Sequence, residues 1–225
     1  MLYNEIIYSI REQLRQTIDD SNIDDREIIF NINIQRSLFY RNQYNQRNRI
    51  IDEDIKQNLY VKLQESSEDL CSTTDCTIIR SVNPLPKSIE LHHKNAILGV
   101  SSTNISSKQF SLVNWTNFIY SGNSRYSKNE VFVSVNTDGY LYLKVSNKLA
   151  KFINTVIVQM ILENPLDIKT FVNCGDTVST DCFDLETFEY PIKQYAFAYI
   201  KEQVVNTFIN KLSIPEDKQN DGESQ

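Results

Sequence analysis

Asp24-Asp25-Arg26-Glu27-Ile28-Ile29-Phe30-Asn31-Ile32-Asn33-Ile34-Gln35-Arg36-Ser37-Leu38-Phe39-Tyr40-Arg41, running on through Tyr44 and Arg47 to Arg49, can be read in two ways. Ile28, Phe30, Ile32 and Ile34 alternate with polar residues, which is the pattern of a strand. Phe30, Ile34 and Leu38 also recur at i, i+4 and i+8, and Ile28, Ile32 and Phe39 fit a neighbouring helical row. Asp24 and Asp25 stand where carboxylates favour the positive end of a helix, and the run after Phe39 is polar. These signals predict a helix from about Asp25 to Gln46. All its basic residues are Arg, a planar multi-donor fork that suits fixed contacts with carboxylates or aromatic faces. Tyr40 and Tyr44 lie among them. Arg and Tyr are enriched where proteins meet, which makes Arg26, Arg36, Tyr40, Arg41, Tyr44 and Arg47 the candidate subunit-interface residues. A solvated helix face is the competing reading.

On either side of this stretch the pattern also reads helical. Tyr3, Ile7, Ile10, Leu14 and Ile18 keep one helical face, with Glu5, Arg11, Glu12 and Arg15 on the others. Ile51, Ile55, Leu59 and Leu63 form a stripe four residues apart, with Asp52, Glu53 and Asp54 at its start. That predicts a third helix ending near Glu65-Ser66, and a helical region over residues 1–66.

The character changes at Cys76. Thr77 to Arg80, Ser88 to Leu91 and Ala96 to Val100 read as strands, and Phe110 to Tyr120 takes no assignment. Val131 to Val135 and Tyr140 to Val145 are β-branched and aromatic runs around Asn136-Thr137-Asp138-Gly139, which predicts a hairpin. Ile153 to Leu162 reads as a buried strand, with a helix from Lys148 as the alternative. Pro191 opens a last helix along Ile192, Tyr195, Ala196, Tyr199, Ile200, Val204, Phe208 and Leu212. The fold class is α+β, with N-terminal helices and a C-terminal helix packed beside an antiparallel or mixed sheet. The expected organisation is one domain over 1–213, with a helical region at residues 1–66, a β region at residues 76–165 and a helix at residues 190–212. A polar tail follows over 214–225, expected to be mobile.

The chain has 225 residues and a formal net charge of −6. That balance argues against binding nucleic acid by charge neutralisation. No stretch is apolar enough to span a membrane. Leu2-Tyr3-Asn4-Glu5 after Met1 is not a secretory signal, so synthesis in a cytosol is expected. The four cysteines, Cys71, Cys76, Cys174 and Cys182, lack zinc-ribbon spacing and are expected to be free thiols. Asn104-Ile105-Ser106 and Asn114-Trp115-Thr116 match the glycosylation triplet, which carries no weight without a secretory signal.

Chemistry has few footholds. His92-His93 with Cys71, Cys76 or Glu90 is a weak zinc candidate, because adjacent strand residues point to opposite faces. Asp181, Asp184, Glu186 and Glu189 suit a solvated capping loop better than a Mg²⁺ site. Trp115 reads as a core or interface filler. No catalytic residue, metal or cofactor is assigned.

Taken in order, several motifs resemble one family. They are the Asp24-Asp25 loop with Arg26-Glu27-Ile28-Ile29-Phe30, Arg36 and Arg41, then Ile51 and Ile55-Lys56-Gln57-Asn58-Leu59. Cys76 to Lys87, the Asp138-Gly139 hairpin, Leu162-Glu163-Asn164-Pro165 and Phe188-Glu189-Tyr190-Pro191-Ile192-Lys193 follow. Together they resemble the head–tail connector, or neck ring, structural proteins of crAss-like tailed bacteriophages. The resemblance covers most of residues 3–212. It implies a virion protein at the portal vertex, assembled in the host cytoplasm into a ring of about twelve copies. Its implied partners are itself, the portal protein and neighbouring neck and tail proteins, with double-stranded DNA passing through unbound. The family carries no catalytic residues. In such a ring Arg26, Arg36 and Arg41 would face acids of the adjacent subunit, and Arg36→Glu would weaken assembly more than folding. A different virion component, such as a tail, fibre-attachment or head-decorating protein, is the second reading. A metal-dependent hydrolase using Asp181, Asp184 and Glu186 is the third.

Overall fold

The computed structural model describes residues 1–17, 23–47, 52–66, 75–91, 96–103, 109–122, 127, 130–174, 177–178 and 182–212. The chain is α+β and divides into two compact units, Met1–Asn42 with Leu185–Gln225, and Gln43–Asp184.

The first unit is helical. Helix α1 (Tyr3–Thr17) buries Tyr3, Ile6, Ile7, Ile10 and Leu14, the face that its three-four spacing predicts. Helix α2 (Asp25–Arg47) starts where the acids place it. Asp24 caps it, accepting from the Arg26 N–H through Oδ1 at 3.3 Å and from the Glu27 and Ile28 N–H groups through its carbonyl. The C-terminal helix of this unit, Gln194–Leu212, buries Ala196, Phe197, Ile200, Val204, Val205 and Phe208. Its Lys211 pairs with Glu27, and its Tyr195 and Tyr199 meet Phe39 at centroid distances of 6.3 and 5.5 Å. It therefore runs antiparallel to α2. Arg11 pairs with Asp25, and Lys201 Nζ donates to Ser9 Oγ at 2.8 Å. The segment Phe188–Tyr190 closes the unit against the first residues. The Tyr3 N–H donates to the Phe188 carbonyl and the Tyr190 N–H to the Met1 carbonyl, each at 3.0 Å.

The second unit is built on a seven-stranded mixed sheet. Its strands are β1 (Gln57–Glu65), β2 (Cys76–Ser81), β3 (Ile97–Ser102), β4 (Ser111–Leu112), β5 (Phe132–Val135), β6 (Leu141–Ser146) and β7 (Thr155–Met160). Their order is β3-β7-β1-β2-β6-β5-β4, antiparallel except for the β4–β5 pair. β8 (Asn173–Cys174) and β9 (Thr177–Val178) form a separate two-stranded antiparallel ribbon. Short helices α3 (Trp115–Phe118) and α4 (Asn147–Ala150) join strands, and the Gln194–Leu212 helix is α5.

β1 corrects the expected third helix. Spacing by four residues is even, so the stripe that suggested a helix also lies on one face of a strand. Leu59 and Val61 are buried opposite Val158 and Val156 of β7, while Asn58 and Lys62 point outward. Ile55 belongs to a short 3₁₀ turn, Glu53–Ile55, ahead of the strand. The β region expected over 76–165 thus begins earlier, at Gln57, and the helical stretch ends with α2.

The hairpin forms as its sequence predicts. β5 and β6 pair from Phe132↔Lys144 to Val135↔Leu141, and Gly139 takes a φ of +80° in the turn, where an L side chain would be strained. Asp138 locks the turn, accepting from the Tyr140 N–H at 2.9 Å and from the Tyr142 hydroxyl at 2.8 Å. The strand reading of Ile153–Leu162 holds as β7. Ser88–Leu91 does not form a strand; Ser88 makes an isolated antiparallel bridge to Leu162. The unassigned stretch resolves into β4 and α3. Trp115 stacks on Phe118 at 5.3 Å and meets the buried Tyr142 edge-on at 5.0 Å, so it packs inside this unit.

The cysteines also depart from expectation. Cys76 and Cys182 are each engaged in a disulfide, and no described cysteine is free. Spacing rules out a zinc ribbon, but it does not say which sulfurs the fold brings together.

Candidate subunit-contact surface on helix α2

The sequence offers α2 two apolar rows, and the structure decides between them. Ile28 (0% exposed), Ile32, Arg36, Tyr40 and Tyr44 follow one another four residues apart and form the buried row. Phe30, Ile34 and Leu38, the all-apolar row, lie outward at 63%, 39% and 45% exposure. A helix that buries an arginine and exposes three large apolar side chains inverts the usual sorting.

Arg36 has no exposed surface. Its Nε donates to the Pro191 carbonyl at 3.0 Å, and its guanidinium carbon lies 5.5 Å from the Tyr40 ring centroid and 5.7 Å from that of Tyr190. The Tyr190 hydroxyl bonds Asn33 Oδ1 at 2.6 Å, and the Tyr40 oxygen accepts from the Lys193 N–H at 3.4 Å. Burial pulls the Arg36 pKa down, while Tyr190 and Tyr40 act in the opposite sense. Guanidinium begins so high that the side chain stays charged at neutral pH. Burial pushes the Tyr190 hydroxyl up, against the pull of Arg36, so it remains a neutral donor. The arrangement fastens α2 to the turn that leads into α5.

The six predicted interface residues therefore separate. Arg26 and Arg41 are exposed on α2. Arg36 and Tyr40 are engaged within their own unit, so Arg36 faces Pro191 and the two tyrosines where an acid of a neighbour was expected. Tyr44 is 8% exposed, and its hydroxyl accepts from the Asp52 N–H at 3.3 Å. The side chain of Arg47 lies outside the described residues, as do His92-His93, Cys71, Asp181, the triplet beginning at Asn104 and the tail 214–225. The exposed row was missed as a surface because its periodicity is that of any core stripe.

Lys144 is 4% exposed, and its Nζ donates to the Ile119 carbonyl at 3.1 Å beside a small cleft that Cys76, Glu130 and Asn147 help to line. Burial lowers its pKa. Among the described residues no group of three or more His, Cys, Asp or Glu side chains is placed to hold a metal ion. Among them, too, no helix is long and apolar enough to cross a membrane.

The fold and this surface define an α+β chain with a helix that is apolar on two opposite sides, one packed within its unit and one turned outward. The chain belongs to the family described as Phage tail ring protein 2, whose sequence model matches residues 5–225. It is 24% identical over 223 residues to Ring protein 2 of Bacteroides phage crAss001, an alignment covering 98% of this chain and 96% of that protein. The resemblance to ring proteins of crAss-like phages is thus established, and with it a structural place in a phage particle.

Proposed function

We propose that this chain closes on itself into a ring in the neck of the virion, where it extends the portal channel and docks the tail. The reading is of a connector without catalytic work or cofactor. The observation that carries it is the family match, which runs almost the whole length of the chain and meets a relative of nearly equal length. In this reading the tail ring of the family's description sits at the neck, where tail meets head. A ring subunit needs two different side faces that close by rotation, and this reading expects closure at about twelve copies. The net charge of −6 supports a lumen that double-stranded DNA passes without adhering. Arg26 and Arg41 remain the candidate interface arginines, being exposed.

The test is a high-resolution reconstruction of the portal vertex of the virion. The expected density is one ring of this chain between the portal and the tail tube. Finding it spread over the capsid in hundreds of copies would make it a decorating protein, and finding it on fibres would make it an attachment protein.

A further inference from the structure

We propose that the outward row of α2, Phe30, Ile34 and Leu38 with Arg26 and Arg41 beside it, docks on the Leu185–Glu189 segment of a second copy of this chain. The proposal rests on the ring reading above and names the seam of that ring.

Three observations carry it. The row is contiguous along the helix, and Phe30 to Leu38 span about 12 Å of its axis. All three side chains are substantially exposed although each is large and apolar. Such a stripe rimmed by charge marks a contact surface. Leu185 to Glu189 offers the complement: Leu185 is 42% exposed, and Glu186 and Glu189, which follow it, are exposed as well. An apolar centre rimmed by arginine thus has a counterpart that carries an exposed leucine and carboxylates.

The acidic segment leads into the side of α2 away from the stripe. The residues that follow Glu189, Tyr190 and Pro191, pack on Arg36. Arg36 and Ile34 project from α2 about 160° apart, since two residues turn a helix by about 200°. One copy therefore presents the stripe on one side and the acidic segment toward the other. That is the heterologous, head-to-tail pairing a ring requires, and it keeps the two surfaces apart within one chain.

The test uses the full chain in two charge-reversed forms, one carrying R26E and R41E, the other E186K and E189K, followed by native mass spectrometry and sedimentation. Each form alone is expected to associate about 100-fold more weakly than the parent, by the penalty of placing like charges together. Mixed in equal amounts, they are expected to recover association, because each stripe then meets a segment of opposite charge. An apolar-row variant, I34E with L38E, is expected to lose association in every mixture while keeping its helical circular dichroism. Charge-reversed forms that assemble alone as the parent does would overturn the seam and leave the ring reading standing. Each form failing alone and the mixture failing too would also overturn it, assigning the stripe to a different protein. A parent chain that stays monomeric would overturn the ring reading and the seam with it.

Discussion

Arg36→Glu is expected to unfold the helical unit. The substitution places a carboxylate where no water reaches, against the Pro191 carbonyl and between two aromatic rings. An uncompensated buried charge costs about 3–5 kcal/mol, a large fraction of the stability of an ordinary domain. Arg36→Met separates the charge from the volume. It fills most of the space and removes the cost of burying a cation, but it leaves the Pro191 carbonyl without this donor, at about 1–3 kcal/mol. Hydrogen exchange resolves the two, because loss of protection should concentrate in α1, α2 and α5. A Glu variant with parent-like protection in those helices would show that Arg36 is not their anchor. The sequence alone suggested that this substitution would act on assembly first. A side chain with no exposed surface acts on the fold first.

Tyr142→Ala should damage the sheet unit to a similar degree. Tyr142 is 0% exposed on β6, Trp115 meets its ring edge-on, and its hydroxyl donates to Asp138 in the hairpin turn. Truncation removes a large aromatic from a packed site and leaves a cavity, at about 3–5 kcal/mol. Tyr142→Phe keeps the ring and loses the bond to Asp138, at about 1 kcal/mol. Urea unfolding followed by Trp115 fluorescence reads both, since that ring lies against the altered site. Equal midpoints for the Ala and Phe variants would contradict the packing argument and leave the hydroxyl as the whole effect.

Legibility in the sequence followed how local each determinant is. The α1 face, the Asp24 cap and the Asp138-Gly139 hairpin depend on residues near one another, and each formed as its pattern demands. β1 did not, because a four-residue apolar spacing fits both periods and only its pairing with β7 decides. On α2 the helix was readable but its buried side was not. Both rows are apolar, and Arg36 entered the interior only because Pro191 and Tyr190, some 155 residues on, supply its acceptor and its walls. The disulfide bonding of Cys76 and Cys182 was likewise not legible, because spacing that excludes a zinc ribbon names no pairing. The family, by contrast, was carried by the order of many short motifs, none diagnostic alone, and the match over residues 5–225 upholds that reading.

The central claim is that this chain grips copies of itself. Native mass spectrometry of the purified full-length protein, across a range of concentrations, addresses it most directly. The account predicts one dominant closed stoichiometry of about twelve copies, with no ladder of larger species, because a heterologous contact that closes leaves no free end. A spectrum holding only the 26.2 kDa monomer at every concentration would contradict it.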